Sequence, residues 1–366
     1  MQRSWSTVIV AALAVWLCAT SAAAAPAVSP ALVTAADETV VGPTGQLLFT
    51  SMRTGVMQIY RIDTDGGREV KLSQTDSADV QPAWSASGKI AFVSYRSGGG
   101  DIYTMNADGG ELRRLTTQPG LDESPTWSPD GQRIAYVSER NGLTGVRVVQ
   151  ADGSQDILVS AALAEVGAPA WSPDGKKLAF VATQDSKLRI IVADLAAGTV
   201  GPVTEGKSGE FGPVWSVDGR SLAYVQSGNR TEGVNLRLFR LGESTSMALT
   251  SGGYTNSQPR FSPDGSRILY LSNASSQGAS MNVHVMNADG TGITNLTRWE
   301  HADLSATWSG DGRQVLFMSF RDWPGQIYRV NADGSDVQRL TRSNGQDGYP
   351  VSRPSDSARS SVARAQ

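Results

Sequence analysis

Short runs of alternating apolar and polar residues recur along this chain. Leu47, Ile90, Ile134, Leu178, Leu222, Ile268 and Val315 each open a run of the Ile134-Ala-Tyr-Val-Ser138 type, and successive runs start 43, 44, 44, 44, 46 and 47 residues apart. Period-two alternation over five or six residues predicts a strand with one face buried. A second run of the Ile102-Tyr-Thr-Met-Asn106 type follows, then a third ending in Leu115-Thr116 or its equivalent. Ahead of the first run stands an aromatic anchor, at Trp84, Trp127, Trp171, Trp215, Phe261 and Trp308. Four strands per unit at a fixed period of this length predict an all-β fold. The expected architecture is a seven-bladed β-propeller of four-stranded antiparallel blades, with a six-bladed ring as the alternative.

The polar residues between the runs are turn chemistry. Ser-Pro-Asp-Gly begins at Ser128, Ser172 and Ser262, and departs to Ser85-Ala-Ser-Gly88, Ser216-Val-Asp-Gly219 and Ser309-Gly-Asp-Gly312. Asn-Ala-Asp-Gly begins at Asn106, Asn287 and Asn331, with Gln150-Ala-Asp-Gly153 close to it. Pro presets φ, Asp bonds its own turn backbone and Gly accepts positive φ. No turn carries more than one Asp, whereas a calcium loop needs several converging oxygens. Neither a metal nor another cofactor is expected. The repeated Trp reads as a wedge between neighbouring blades, since one aromatic at six equivalent positions is core rather than six sites.

Two segments compete for the innermost strand of the first blade: Glu38 to Gly45, and Gly348-Tyr-Pro-Val-Ser352. The second is favoured, because it laces the ring shut and leaves no open edge. Residues 38–352 then form the propeller, 26–37 a linker, and the Ser- and Arg-rich 353–366 a disordered tail.

The N-terminus reads as a cleavable signal peptide over residues 1–25: Arg3, an apolar stretch from Thr7 to Thr20, and a small-residue site at Ser21-Ala-Ala-Ala-Ala25. The single cysteine, Cys18, lies within it, and Val15-Trp16-Leu17 lacks the small residues that lipidation requires. Export to the periplasm, or secretion, is expected. No other stretch predicts a transmembrane helix. Lys and Arg number 32 against 35 Asp and Glu, so no basic excess attracts phosphate backbones and nucleic acid is a poor partner.

Trp127-Ser-Pro-Asp-Gly131 with Ile134-Ala-Tyr-Val-Ser138, Asp101-Ile-Tyr-Thr-Met-Asn-Ala-Asp-Gly109, and Arg114-Leu-Thr116 are together similar to the TolB-like propeller repeat, a branch of the WD-type propellers. The resemblance covers nearly all of the chain after residue 25. It implies a periplasmic component of the Tol–Pal envelope type, with an envelope protein or lipoprotein as partner. That type carries an α/β domain ahead of six blades. Seven units are counted here, with no room for the extra domain, so the family's way of contacting its partner is not carried over.

Alternating antiparallel strands put the short turns on one face and the variable loops on the other, and function is expected on the loop-rich face. Two patterns recur there. Three residues before the Pro of each inner strand, or before Ala306 in the last unit, stand Asp79, Asp122, Val166, Glu210, Asn256, Asp303 and Asp347, and two residues after the second strand's Ser stand Arg53, Arg96, Arg140 and Arg321. Either the acids pair with the arginines, or Asp79, Asp122, Glu210, Asp303 and Asp347 form an acidic ring at the channel mouth that receives a basic peptide or a cation. Trp299, His301 and Trp323 break the repeat on the same face, and with Arg321 they form the candidate partner- or sugar-binding patch. No catalytic residue is assigned: there are two histidines, no Cys nucleophile and no Gly-x-Ser-x-Gly elbow. The expectation is a monomeric, non-catalytic scaffold, with a carbohydrate-active or other hydrolytic propeller as the alternative.

Overall fold

The computed structural model describes residues 45–355, apart from 161–162, 164–165, 207, 230 and 277. The signal, the linker, residues 38–44 and most of the tail lie outside these. Seven four-stranded sheets make up the described residues, each with antiparallel neighbours. Within a blade the strands are lettered A to D from the innermost. Blade 2 runs Asp79–Trp84, Ile90–Ser94, Asp101–Met105 and Arg113–Arg114, and blades 3 to 7 repeat that order.

Blade 1 is assembled from both ends of the described chain. Its A strand is Asp347–Ser352, which pairs antiparallel with Gln46–Ser51, and Gln58–Asp63 and Val70–Lys71 complete it. Arg353 fastens this closure. Its guanidinium donates to Gln46 Oε1 at 2.7 Å and lies 5.4 Å from the centre of the Trp84 ring in blade 2. In the regular blades a turn Pro packs against the turn Gly of the next blade, as Pro129 does at Gly175 and Pro173 at Gly219. The departure at Gly310 follows from the closure. A Cβ there would sit 2.4 Å from the Arg353 carbonyl, so only Gly fits beneath the returning segment.

The Trp residues are wedges. Trp127, Trp171, Trp215 and Trp308 each donate from Nε1 to an A-strand carbonyl of the preceding blade, at 3.0–3.2 Å. Seven apolar clusters result, each drawn from two adjacent blades, as where Leu48 and Ile59 of blade 1 meet Trp84 and Phe92 of blade 2.

Strand D is shorter than the sequence pattern suggests. In blade 2 it ends at Arg114, before Leu115-Thr116. The hydroxyl of Thr116 instead accepts the Ile102 N–H, and the same bond recurs from Ser73, Ser160, Thr204, Thr250, Thr297 and Thr341 at 2.7–3.1 Å. A side-chain oxygen therefore continues the ladder where the backbone turns away. The A strands also carry a bulge. Gln81, Ser124, Gln258, Ser305 and Tyr349 adopt φ of 49–56°, with Gly212 at the equivalent point of blade 5. Register slips there, for example between Val80 and Ala83.

The only helical element among the described residues is a 3-10 turn, Ala274–Ser276. No described helix is long and apolar enough to cross a membrane.

Candidate functional site

At the loop-rich end of blades 1, 2 and 7 one constellation is repeated. The A strand supplies a buried Asp at its first residue: Asp347, Asp79 and Asp303. The B strand ends in Ser51, Ser94 or Ser319, whose hydroxyl accepts from Nε of Arg53, Arg96 or Arg321 at 2.7–2.8 Å. The same guanidinium pairs with the Asp, at 2.9, 3.1 and 3.4 Å respectively. It also lies 4.4, 4.7 and 4.8 Å from the ring centres of Tyr60, Tyr103 and Tyr328 on strand C. Each charge is thus neutralised and stacked in a fixed pose.

Blade 3 redirects the pattern. Asp122 accepts from the Ser138 hydroxyl at 2.6 Å, while Arg140, 3.9 Å from Asp122, also pairs with Asp156 at 3.3 Å. Burial raises the Asp122 carboxyl despite the Ser138 bond. In blade 5 Gly228 stands at the Arg position, and the Thr204 hydroxyl donates to Glu210, whose carboxyl is likewise raised by burial. Asp79, Asp122, Glu210, Asp303 and Asp347 are all buried. Each has a partner: an arginine at Asp79, Asp303 and Asp347, and a hydroxyl at Asp122 and Glu210.

The structure gathers three of the four patch residues. Arg321 lies 5.2 Å from the Trp299 ring centre, and Trp299 meets His301 at 6.4 Å. The backbone N–H of Trp299 donates to Asn282 Oδ1 at 2.8 Å, which fixes the loop on blade 6. Trp323, in the Arg321 loop of blade 7, instead meets Phe320 with the rings tilted and their centres 5.9 Å apart. The indoles remain open: Trp299 is 44% and Trp323 69% exposed. His301 is exposed as well.

One feature escaped the sequence reading. Blade 6 keeps only the Ser of the constellation, Ser272: Asn256 replaces the acid, Ala274 the Arg and His284 the Tyr. A cavity of about 520 Å³ opens there, between blades 5 and 6. The signal lay in the gap in the arginine series rather than in a residue present. Among the described residues no group of three or more His, Cys, Asp and Glu is placed to hold a metal ion.

Comparisons with known proteins place this geometry. The Tol-Pal system protein TolB of Alcanivorax borkumensis is 30% identical over 86 residues, 23% of this chain and 20% of that protein. The matched stretches span less than a third of the length of the curated relatives. The crystal structure of TolB from Acinetobacter baumannii is similar at a TM-score of 0.56, with 18% identity over 85% of this chain and 67% of that one. An oligogalacturonate lyase in complex with manganese is similar at 0.65, with 15% identity over 87% of this chain and all of that one, 100%. Such identities speak to the fold alone. The family model described as the TolB beta propeller domain matches residues 39–125, 123–231 and 202–364, and the chain belongs to that family.

Proposed function

We propose that this chain is a non-catalytic scaffold of the cell envelope, exported to the periplasm or secreted. Acting as a monomer, it captures an envelope protein or lipoprotein on the loop-rich face of blade 7. The observation that carries this reading is the open indole of Trp299 against Arg321, an arginine already committed to Asp303, with the exposed Trp323 further along the same loop. Exposed Trp on a rigid support loses little entropy on binding and buries a large area, which is why Trp and Arg are enriched in hot spots. Membership of the TolB propeller family, and a relative named for the Tol-Pal system, support an envelope role. Nucleic acid remains a poor fit to a chain of formal charge −3.

The alternative of a carbohydrate-active or other hydrolytic propeller rests on likeness to a lyase and to peptidases at 14–17% identity, which supports a shared fold only. A photo-crosslinker placed at Trp323 should trap one envelope protein in living cells. The same crosslinker at Gly98, in the matching loop of blade 2, should trap none. Equal labelling from both positions, or turnover of a glycan by the purified protein, overturns the reading.

A further inference from the structure

Arg260 is the only Lys, Arg or His on the seven A strands of the described residues. It pairs with Leu269 in blade 6, at the level held by Ala83, Thr126, Ala170, Val214, Thr307 and Val351 in the other blades. Ala83, Ala170, Val214 and Val351 pack against the apolar clusters shared with the next blade. A guanidinium cannot end on such a cluster without losing its water. Pro259 and Phe261, which flank Arg260 in the strand, are turned to the core, and alternation sends Arg260 the other way. Arg260 is exposed where its six counterparts are half-buried. Its stem therefore leaves the cleft between blades 6 and 7, and its head group enters the channel that the A strands enclose.

This cation has no partner among the described residues. Its own strand begins with Asn256 where other blades carry an acid. Asp79, Asp303 and Asp347 are taken up by arginines of their own blades, and Asp122, Glu123 and Glu210 do not pair with it. No carboxylate and no hydrogen bond offsets the protein crowded round the guanidinium, and desolvation alone lowers it from the ordinary arginine value. Water reaches the side chain, yet its setting is an enclosed one, as a channel wall provides. At the same level the only other polar side chains are Thr126 and Thr307, so the lining carries one positive charge and no negative one. An enclosed charge left without a counterion is costly, and five N–H donors are available to whatever supplies one.

We propose that Arg260 makes the axial channel a binding site for the carboxylate of a small monoanionic solute. A carboxylate offers two oxygens to the planar fork of a guanidinium and forms two parallel charge-assisted hydrogen bonds. It brings one negative charge to a wall with one positive charge, whereas a doubly charged phosphate would leave a charge uncompensated in an enclosed space. Arg260 is followed directly by Phe261 and the Ser262–Gly265 turn, so it stands toward the short-turn end of the channel. The site is thus at the opposite end from the Trp299 loop and does not depend on the role of that patch.

The test is saturation-transfer NMR and titration calorimetry on the full chain, in a low-salt buffer free of carboxylate and phosphate. The probes are lactate, benzoate and glucuronate. Methyl lactate, methyl benzoate and glucose serve as neutral counterparts, and chloride and inorganic phosphate as inorganic comparators. At least one carboxylate should bind, with its neutral counterpart and both inorganic ions at least tenfold weaker. Arg260→Gln, at an exposed residue, should melt as the parent does and lose that binding by tenfold or more. Arg260→Lys keeps the charge without the fork and should bind more weakly than the parent, and it serves as the variant if Arg260→Gln does not fold. Each of three results overturns the proposal: no carboxylate binds, a neutral counterpart or an inorganic ion binds as tightly, or the Arg260 variants bind as the parent does.

Discussion

At the scale of single residues, the inner strands hold their bulge with side chains in an unfavourable backbone region. Gln258 sits at φ 53°, exposed, immediately before Pro259. A β-branched residue tolerates that conformation poorly, and Gly tolerates it freely. Gln258→Val should therefore cost roughly 1–3 kcal/mol in urea unfolding, while Gln258→Gly should be nearly neutral. Equal effects of the two would show that the bulge is not what the position selects for. This strain was not legible in the sequence, because Gln81, Ser124 and Tyr349 share a conformation but no chemistry. The wedge role of the tryptophans was legible, since one large apolar residue returning at one place per repeat has few other uses. Their acceptors were not, because each carbonyl belongs to a neighbouring unit.

Among the elements, the Asp of four A–B turns and the buried Asp303 of an A strand respond to pH in opposite senses. Partial burial pushes Asp130, Asp174 and Asp218 up, but bonds from the Ser hydroxyl and a turn N–H outweigh it and the net direction is down. At Asp264 the Ser262 hydroxyl is the largest influence, and the direction is again down. A carboxyl lowered in the folded state contributes stability above its unfolded value, and that stability is lost as pH falls through the folded value. Asp303 runs the other way: burial raises it, outweighing the Ser319 and Thr297 hydroxyls and Arg321. Its ionised form is the disfavoured one, so its contribution improves as pH falls through its raised value. Melting curves recorded between pH 7 and pH 3 should show acid loss beginning near pH 4, the ordinary Asp range. Replacing Asp130, Asp174, Asp218 and Asp264 by Asn should flatten that loss. An unchanged acid limb would remove the turns from the account. The turn motif itself was plain in the sequence. Which acids are buried was not, because the covering Arg lies about 17 residues away on another strand, as Arg96 does from Asp79.

For the molecule as a whole, the number of blades was readable from spacing alone, and the C-terminal closure followed from the need to leave no edge open. The vacancy in blade 6 was not readable, because what marks it is a missing side chain and the volume this leaves. The closure can be tested at Gly310. Gly310→Ala drives a methyl group into the Arg353 carbonyl and should cost about 1–3 kcal/mol in thermal or urea unfolding, as overpacking does. Gly201→Ala, with nothing within 4 Å of the added atom, should be almost silent. If the two behave alike, the returning segment does not press on that turn.

The pairing of Gln46–Ser51 with Asp347–Ser352 also orders events in time. A chain made from its N-terminus holds the first blade as three strands until Asp347 and the residues after it are available. Throughout that interval the inner edge of Gln46–Ser51 is unpaired, a site for protease attack or mispairing. The strand Asp347–Ser352 therefore certifies the rest: a chain truncated or stalled before it keeps an open seam, and one that includes it has none.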